Sequence, residues 1–141
     1  MATVQTGKRR ILIVDDEPAV LALLRRILST EDAEILEAQS GAEALEIARR
    51  TRLDLVILDV RLPDVSGLEV LKRVRRIDEF VPVIMVTSYG SAETVRASMR
   101  LGAFDYFTKP FDNQYVRRIA REALTSRARR LVPSETSRGP A

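Results

Sequence analysis

Five short apolar runs recur at intervals of 21 to 28 residues, and nothing else in the sequence restricts the fold so tightly. They occupy residues 11–14, 33–38, 55–58, 83–86 and 104–108. An interval of that length holds one strand, one helix and their turns. The runs at 11–14, 55–58 and 83–86 are continuous and rich in Val and Ile, as befits strands covered on both faces of a parallel sheet. Glu34 and Glu37, near the ends of the run at 33–38, mark that run as an edge strand.

The intervening segments keep a helical period. Val20, Leu23, Leu24, Ile27 and Leu28 share one face of a first helix, Leu45 and Ala48 of a second, and Leu68, Leu71 and Val74 of a third. Val116, Ile119, Ala120, Ala123 and Leu124 do the same in the last. Pro18 suits a first helical turn, Ser40-Gly41 a helix start and Gly102 a helix end. The helix at 91–101 offers mainly Ala92, Val95 and Met99 as apolar contacts, so it is expected to pack least firmly and to be the element that moves. Five βα units result, an α/β architecture on a largely parallel sheet. Residues 1–8 and 129–141 lack periodicity and are expected to be flexible tails around a domain at 9–128.

A chain of 141 residues accommodates one such domain. It has no Cys and no His, which excludes disulfides, thiolate or imidazole metal sites, and Ser-His or Cys-His nucleophile pairs. Carboxylates, hydroxyls, Lys and Arg are left to do any chemistry. The longest apolar run, 19–24, is far shorter than the roughly 20 residues of a membrane-spanning helix, and no signal-peptide apolar region follows the start. A soluble, cytoplasmic protein is expected. The net charge of +3 is unevenly divided, with +5 in residues 117–130 and −2 elsewhere. No base-reading motif accompanies those arginines. A solvated helix face explains them, direct DNA binding is not expected, and an acidic partner remains compatible with them.

In an open parallel sheet, ligands bind beyond the carboxyl ends of the strands. The residues that follow the apolar runs are Asp15-Asp16, Asp59, Thr87-Ser88 and Lys109. Each alone has a plain structural alternative: Asp16 or Thr87 as a helix cap or turn, Asp59 as an acceptor for a strand-end amide, Lys109-Pro110 as an ordinary loop. Together they differ. Carboxylates brought to one crevice repel by about 4 kcal/mol per pair at ~4 Å with an effective dielectric near 20, and capping needs no such crowding. A hard divalent cation relieves it. Mg²⁺ takes one or two carboxylates, carbonyl oxygens, waters and a phosphate oxygen, whereas zinc is disfavoured without Cys or His. Lys109 and the Thr87 hydroxyl can then serve further phosphate oxygens.

These residues carry a resemblance. Asp15-Asp16-Glu17-Pro18, Asp59 followed by Pro63 and Gly67, Thr87-Ser88, and Tyr106 ahead of Lys109-Pro110-Phe111 together resemble the receiver domain of two-component response regulators over residues 9–127. The stretches 87–95 and 102–111 look most like receivers of nitrogen-regulator-type transcriptional activators. The resemblance implies a flavodoxin-like, three-layer, doubly wound sheet of five parallel strands in the order 2-1-3-4-5. It also implies that Asp59 accepts a phosphoryl group from the phosphohistidine of a sensor histidine kinase or from a small donor such as acetyl phosphate. Asp16 and Asp59 would ligate Mg²⁺ with the Arg61 backbone carbonyl, and Asp15 would act directly or through water. Lys109 and Thr87 would contact the phosphoryl group, Tyr106 would act as the switch aromatic, and the Lys109-Pro110 bond would be cis.

By the same resemblance, the face made by helix four, strand five and helix five is the switching surface, available to a homodimer or partner. Arg96, Arg100, Arg117, Arg118 and Arg121 lie on those helices, and Tyr106 has a plain alternative as a half-buried core aromatic. Two other readings compete. An aspartyl-phosphate phosphatase of the haloacid-dehalogenase kind uses Asp-x-Asp with the second acid as proton donor. Here Asp59-Val60-Arg61 lacks it, so only slow self-catalysed transfer and hydrolysis are expected, not turnover on an external substrate. The other reading is a receiver module excised from a longer transcriptional activator. No output module fits beyond the last helix, so output is expected from a partner protein or a missing continuation.

Overall fold

The structure, a computed structural model, describes residues 8–88 and 91–130. Five strands, β1 (Arg9–Val14), β2 (Ala33–Ala38), β3 (Leu55–Asp59), β4 (Val83–Thr87) and β5 (Asp105–Thr108), alternate with α1 (Pro18–Ile27), α2 (Gly41–Arg50), α3 (Gly67–Ile77), α4 (Ala92–Arg100) and α5 (Asn113–Arg130). A 3₁₀ turn, Leu28–Thr30, follows α1. All four strand pairings are parallel, and the order is 2-1-3-4-5, as the resemblance implied. The order reverses at β1, so β1 and β3 stand side by side where the chain winds outward in both directions. Their carboxyl ends flank the crevice that this topology opens.

Period-two alternation splits the central strands between two cores. Leu12, Val14, Val56, Leu58 and Met85 face α2 and α3, where Leu45, Ala48, Val70, Leu71 and Val74 are buried. Ile11, Ile13, Leu55, Ile57, Ile84 and Val86 face α1 and α5, where Leu24, Ile27, Val116, Ile119, Ala120, Ala123 and Leu124 are buried. The helical faces read from the sequence are therefore the packed ones, with Leu21 and Val70 added. Pro18 occupies the first turn of α1, Ser40 caps α2 through Oγ, and Gly102 takes φ +94° just beyond α4.

α4 differs from its neighbours. Its one buried residue is Ser98, whose Oγ donates to the Thr94 carbonyl, while Met99 is 46% exposed. The expected contacts at Ala92 and Met99 are thus not core contacts, because the helix presents a small polar residue inward.

At the other end of the chain α5 continues to Arg130, past the boundary expected at 128. Near that end Arg127 is buried, a charged residue in a core position that apolar periodicity does not register. Lys8 precedes β1; the remainder of the two expected tails, 1–7 and 131–141, lies outside the described residues. Among the described residues no helix is long and apolar enough to cross a membrane.

Candidate functional site

Four strand ends assemble the site. The Asp15 N–H donates to the Ala38 carbonyl at 3.1 Å, extending the β1–β2 pairing by one residue, and its carboxylate is buried. Asp15 Oδ1 accepts the Glu17 N–H at 2.9 Å, a local turn that leads into α1. Asp59 closes β3, is 3% exposed, and accepts the Arg61 N–H on Oδ1 at 2.9 Å. Thr87 closes β4 and is buried. The Lys109 N–H donates to the Thr87 carbonyl at 3.0 Å, which ties the tips of β4 and β5 together, and the Lys109–Pro110 peptide is cis.

Lys109 reaches across the crevice. Its Nζ lies 2.8 Å from Asp59 Oδ2, 2.9 Å from Asp15 Oδ2 and 3.5 Å from Glu17 Oε1. Carboxylate oxygens of Asp15, Asp16 and Asp59 all fall within 4.8 Å of one another. The ammonium therefore takes up part of the relief that the sequence argument assigned to a divalent ion alone. It does not take up all of it. Burial, reinforced by the Asp59 carboxyl beside it, pushes Asp15 up to about 6 against the pull of Lys109 and the Glu17 amide. Burial opposes the charge on Lys109, but Asp15 and Asp59 outweigh it and hold the ammonium well above its ordinary range. Negative charge remains in excess.

The donor set fits a hard cation: oxygens alone, two of them on buried carboxylates and one on the exposed Asp16. With ligand oxygens within 4.8 Å of one another, the three acids could hold one such ion.

The loop after β3 supplies the remaining positioning. The Gly67 N–H donates to the Val60 carbonyl at 2.7 Å, and a Cβ on Gly67 would run into the Asp59 carbonyl oxygen. Only glycine lets the first turn of α3 approach the end of β3 this closely. Tyr106, on β5, is half-buried against the α2–α3 core and lines an open pocket of about 450 Å³ with Pro110 and Tyr115. The Glu17 contact with Lys109 was not evident from the sequence. Nor was that of Asp64 with α2: it accepts two amides of that helix, and its sole trace in sequence is an acid just after Pro63.

The chain belongs to the response regulator receiver domain family, whose model matches residues 11–121, so it is a phosphoacceptor signalling domain of a two-component system. It is similar to sporulation initiation phosphotransferase F of Bacillus subtilis, 39% identical over 82% of this chain and 93% of that protein. It is also similar to regulatory protein AtoC of Escherichia coli, 38% identical over 84% of this chain but 26% of the relative. Its fold is close to a CheY-like response regulator receiver domain protein from Methanospirillum hungatei, with a TM-score of 0.83, 31% identity, and coverage of 88% of this chain and 99% of that one. Several transcriptional regulatory relatives are thus matched over only about a quarter of their length.

Proposed function

We propose that Asp59 is the phosphoacceptor, that Asp16 and Asp59 with the Arg61 carbonyl hold Mg²⁺ while Asp15 acts directly or through water, and that a sensor histidine kinase is the donor. A carboxylate oxygen of Asp59 attacks phosphorus as the bond to the donor histidine nitrogen breaks, leaving an acyl phosphate on β3. Bound Mg²⁺ would neutralise charge on the transferring phosphoryl oxygens. Lys109 donates to one of those oxygens, exchanging a carboxylate partner for a phosphoryl one, and the Thr87 hydroxyl donates to another. The observation that carries this reading is the position of Lys109 Nζ, 2.8 Å from Asp59 and 2.9 Å from Asp15 at the tips of three strands.

Phosphorylation adds about −1.5 to −2 charge and three acceptor oxygens. Thr87 moves toward them, Tyr106 turns inward behind it, and the α4–β5–α5 face changes shape to engage a second copy or a partner. The weak inward packing of α4 supports that choice of surface. The activity is self-catalysed transfer and hydrolysis in the cytoplasm, not turnover on an external substrate. A second reading, the same switch as one module of a longer transcriptional regulator, is favoured by the relatives matched over about a quarter of their length.

The deciding experiment incubates the chain with acetyl phosphate and Mg²⁺. One hydroxylamine-sensitive phosphoryl group per chain is expected, and none in Asp59→Asn; undiminished labelling of that variant would refute the assignment. Tyr106→Ala is expected to keep the label but weaken the change in solution mass or partner binding produced by a beryllofluoride mimic.

A further inference from the structure

α2 starts from two caps of different origin. Ser40, its own N-cap residue, accepts the Glu43 N–H on Oγ at 3.1 Å. Asp64 belongs to the loop between β3 and α3. Its Oδ1 accepts the Gly41 N–H and its Oδ2 the Ala42 N–H, both at 2.9 Å. The first amides of a helix lack acceptors within the helix, and these three are satisfied by Ser40 and Asp64 together. The two donors hold the Asp64 carboxyl below its ordinary range. Val65 reinforces the contact: a Cβ on Gly41 would run into the Val65 side chain and lie 2.9 Å from Val70 Cγ2.

The same loop serves the acidic pocket. It is fixed at its start by the Val60 N–H on the Val86 carbonyl at 2.9 Å, and at its end by the Gly67 N–H on the Val60 carbonyl. Between those points lies Arg61, whose N–H orients Asp59 Oδ1. The middle of the loop is held from outside by Asp64 and Val65 against α2. We infer that Asp64 is a positioning residue for the pocket: by clamping the loop to the first turn of α2 it sets where the Arg61 carbonyl and the Asp59 carboxylate stand for a divalent cation. The inference rests on the phosphoacceptor reading above and extends it to α2, a helix outside the pocket. Mg²⁺ demands near-octahedral geometry, so an unclamped carbonyl is a poor ligand.

MgCl₂ titration of the whole chain, followed by amide NMR shifts well below the melting temperature, tests this in wild type, Asp64→Ala, Asp64→Asn and Ser40→Ala. Asp64→Ala is expected to weaken Mg²⁺ binding about tenfold, the lower end for residues that orient ligands. Asp64→Asn retains one acceptor and falls between. Ser40→Ala removes the other cap of the same helix; it lowers Tm but keeps the wild-type affinity. Equal affinity in Asp64→Ala and wild type would overturn the inference alone. An equal loss in Asp64→Ala and Ser40→Ala would also overturn it, tracing the effect to helix stability. A wild-type chain that does not bind Mg²⁺ would overturn the pocket reading itself, and the inference with it.

Discussion

Buried charge gathers at both ends of the sheet, and the two clusters are balanced in opposite ways. At the carboxyl end, Asp15, Asp59 and Glu17 share one cation, Lys109, and Asp16 stands beside them. At the amino end, Arg127 is 4% exposed, lies 2.6 Å from Asp78 Oδ2 and 3.9 Å from Asp54, and donates to the Leu53 carbonyl at 3.1 Å. Arg75 closes the same region by donating to the carbonyls of Val81 at 2.7 Å and Gly102 at 2.8 Å. Burial disfavours the charge on Asp78, but Arg127 and the Phe80 amide outweigh it and hold that carboxyl below its ordinary range. Asp15 is displaced upward. The lower cluster supplies a cation for its own acids and secures α5, with the Arg127 Nε–H left without a hydrogen-bond partner among the described residues. The upper one is short of positive charge and could hold a metal ion, as functional sites often trade stability for readiness.

The sharpest way to break this contrast is at the lower end. Arg127→Met leaves Asp78 and the Leu53 carbonyl without their partner and is expected to cost about 2–3 kcal/mol in urea denaturation. A loss below about 0.5 kcal/mol, the range of ordinary surface changes, would remove the structural role claimed for it.

Next in size is the response of the upper end to a cation. Mg²⁺ at ten times its Kd adds about 1.4 kcal/mol, or roughly 5 °C in Tm for a domain of this size. Asp16→Ala is expected to remove most of that gain, whereas Arg127→Met keeps it on a lower baseline. A cation effect that vanished with Arg127 instead would mean that the two ends are not independent.

The pH profile probes the two clusters separately. The folded-state value of Asp15, about 6, lies above its unfolded value of 3.8, so the folded chain holds the extra proton and stability without Mg²⁺ rises as pH falls from above 6 toward 3.8. Asp78 works the other way: its contribution is complete above 3.8 and is lost as pH falls through its depressed folded value. Thermal melts in chelator should therefore show a gain and then an acid loss. Asp78→Asn should flatten the loss and Asp15→Asn the gain; melts in which neither variant changes its limb would contradict both assignments.

Most of the upper end was legible in the sequence, because a polar residue directly after an apolar run announces itself. Asp15, Asp59, Thr87 and Lys109 each stand at such a boundary, and the parallel topology brings them together. What escaped was the direct ion pairing of Lys109 with the acids, since spacing reveals which groups converge but not which neutralise each other. The lower end was hidden. Arg127 and Asp78 are separated by 49 positions and sit where periodicity expects apolar side chains or solvent. The inward face of α4 failed for a related reason: Ser98 is buried because its hydroxyl is satisfied by the preceding turn of its own helix.

The close seat of Gly67 on the Asp59 carbonyl has a practical consequence for anyone who would transplant this pocket. Copying the acids and the lysine onto another parallel sheet would not suffice, because the backbone that carries Asp59 leans on the start of the following helix. The smallest transferable unit is a strand, its bend and that helix, carried across as one piece.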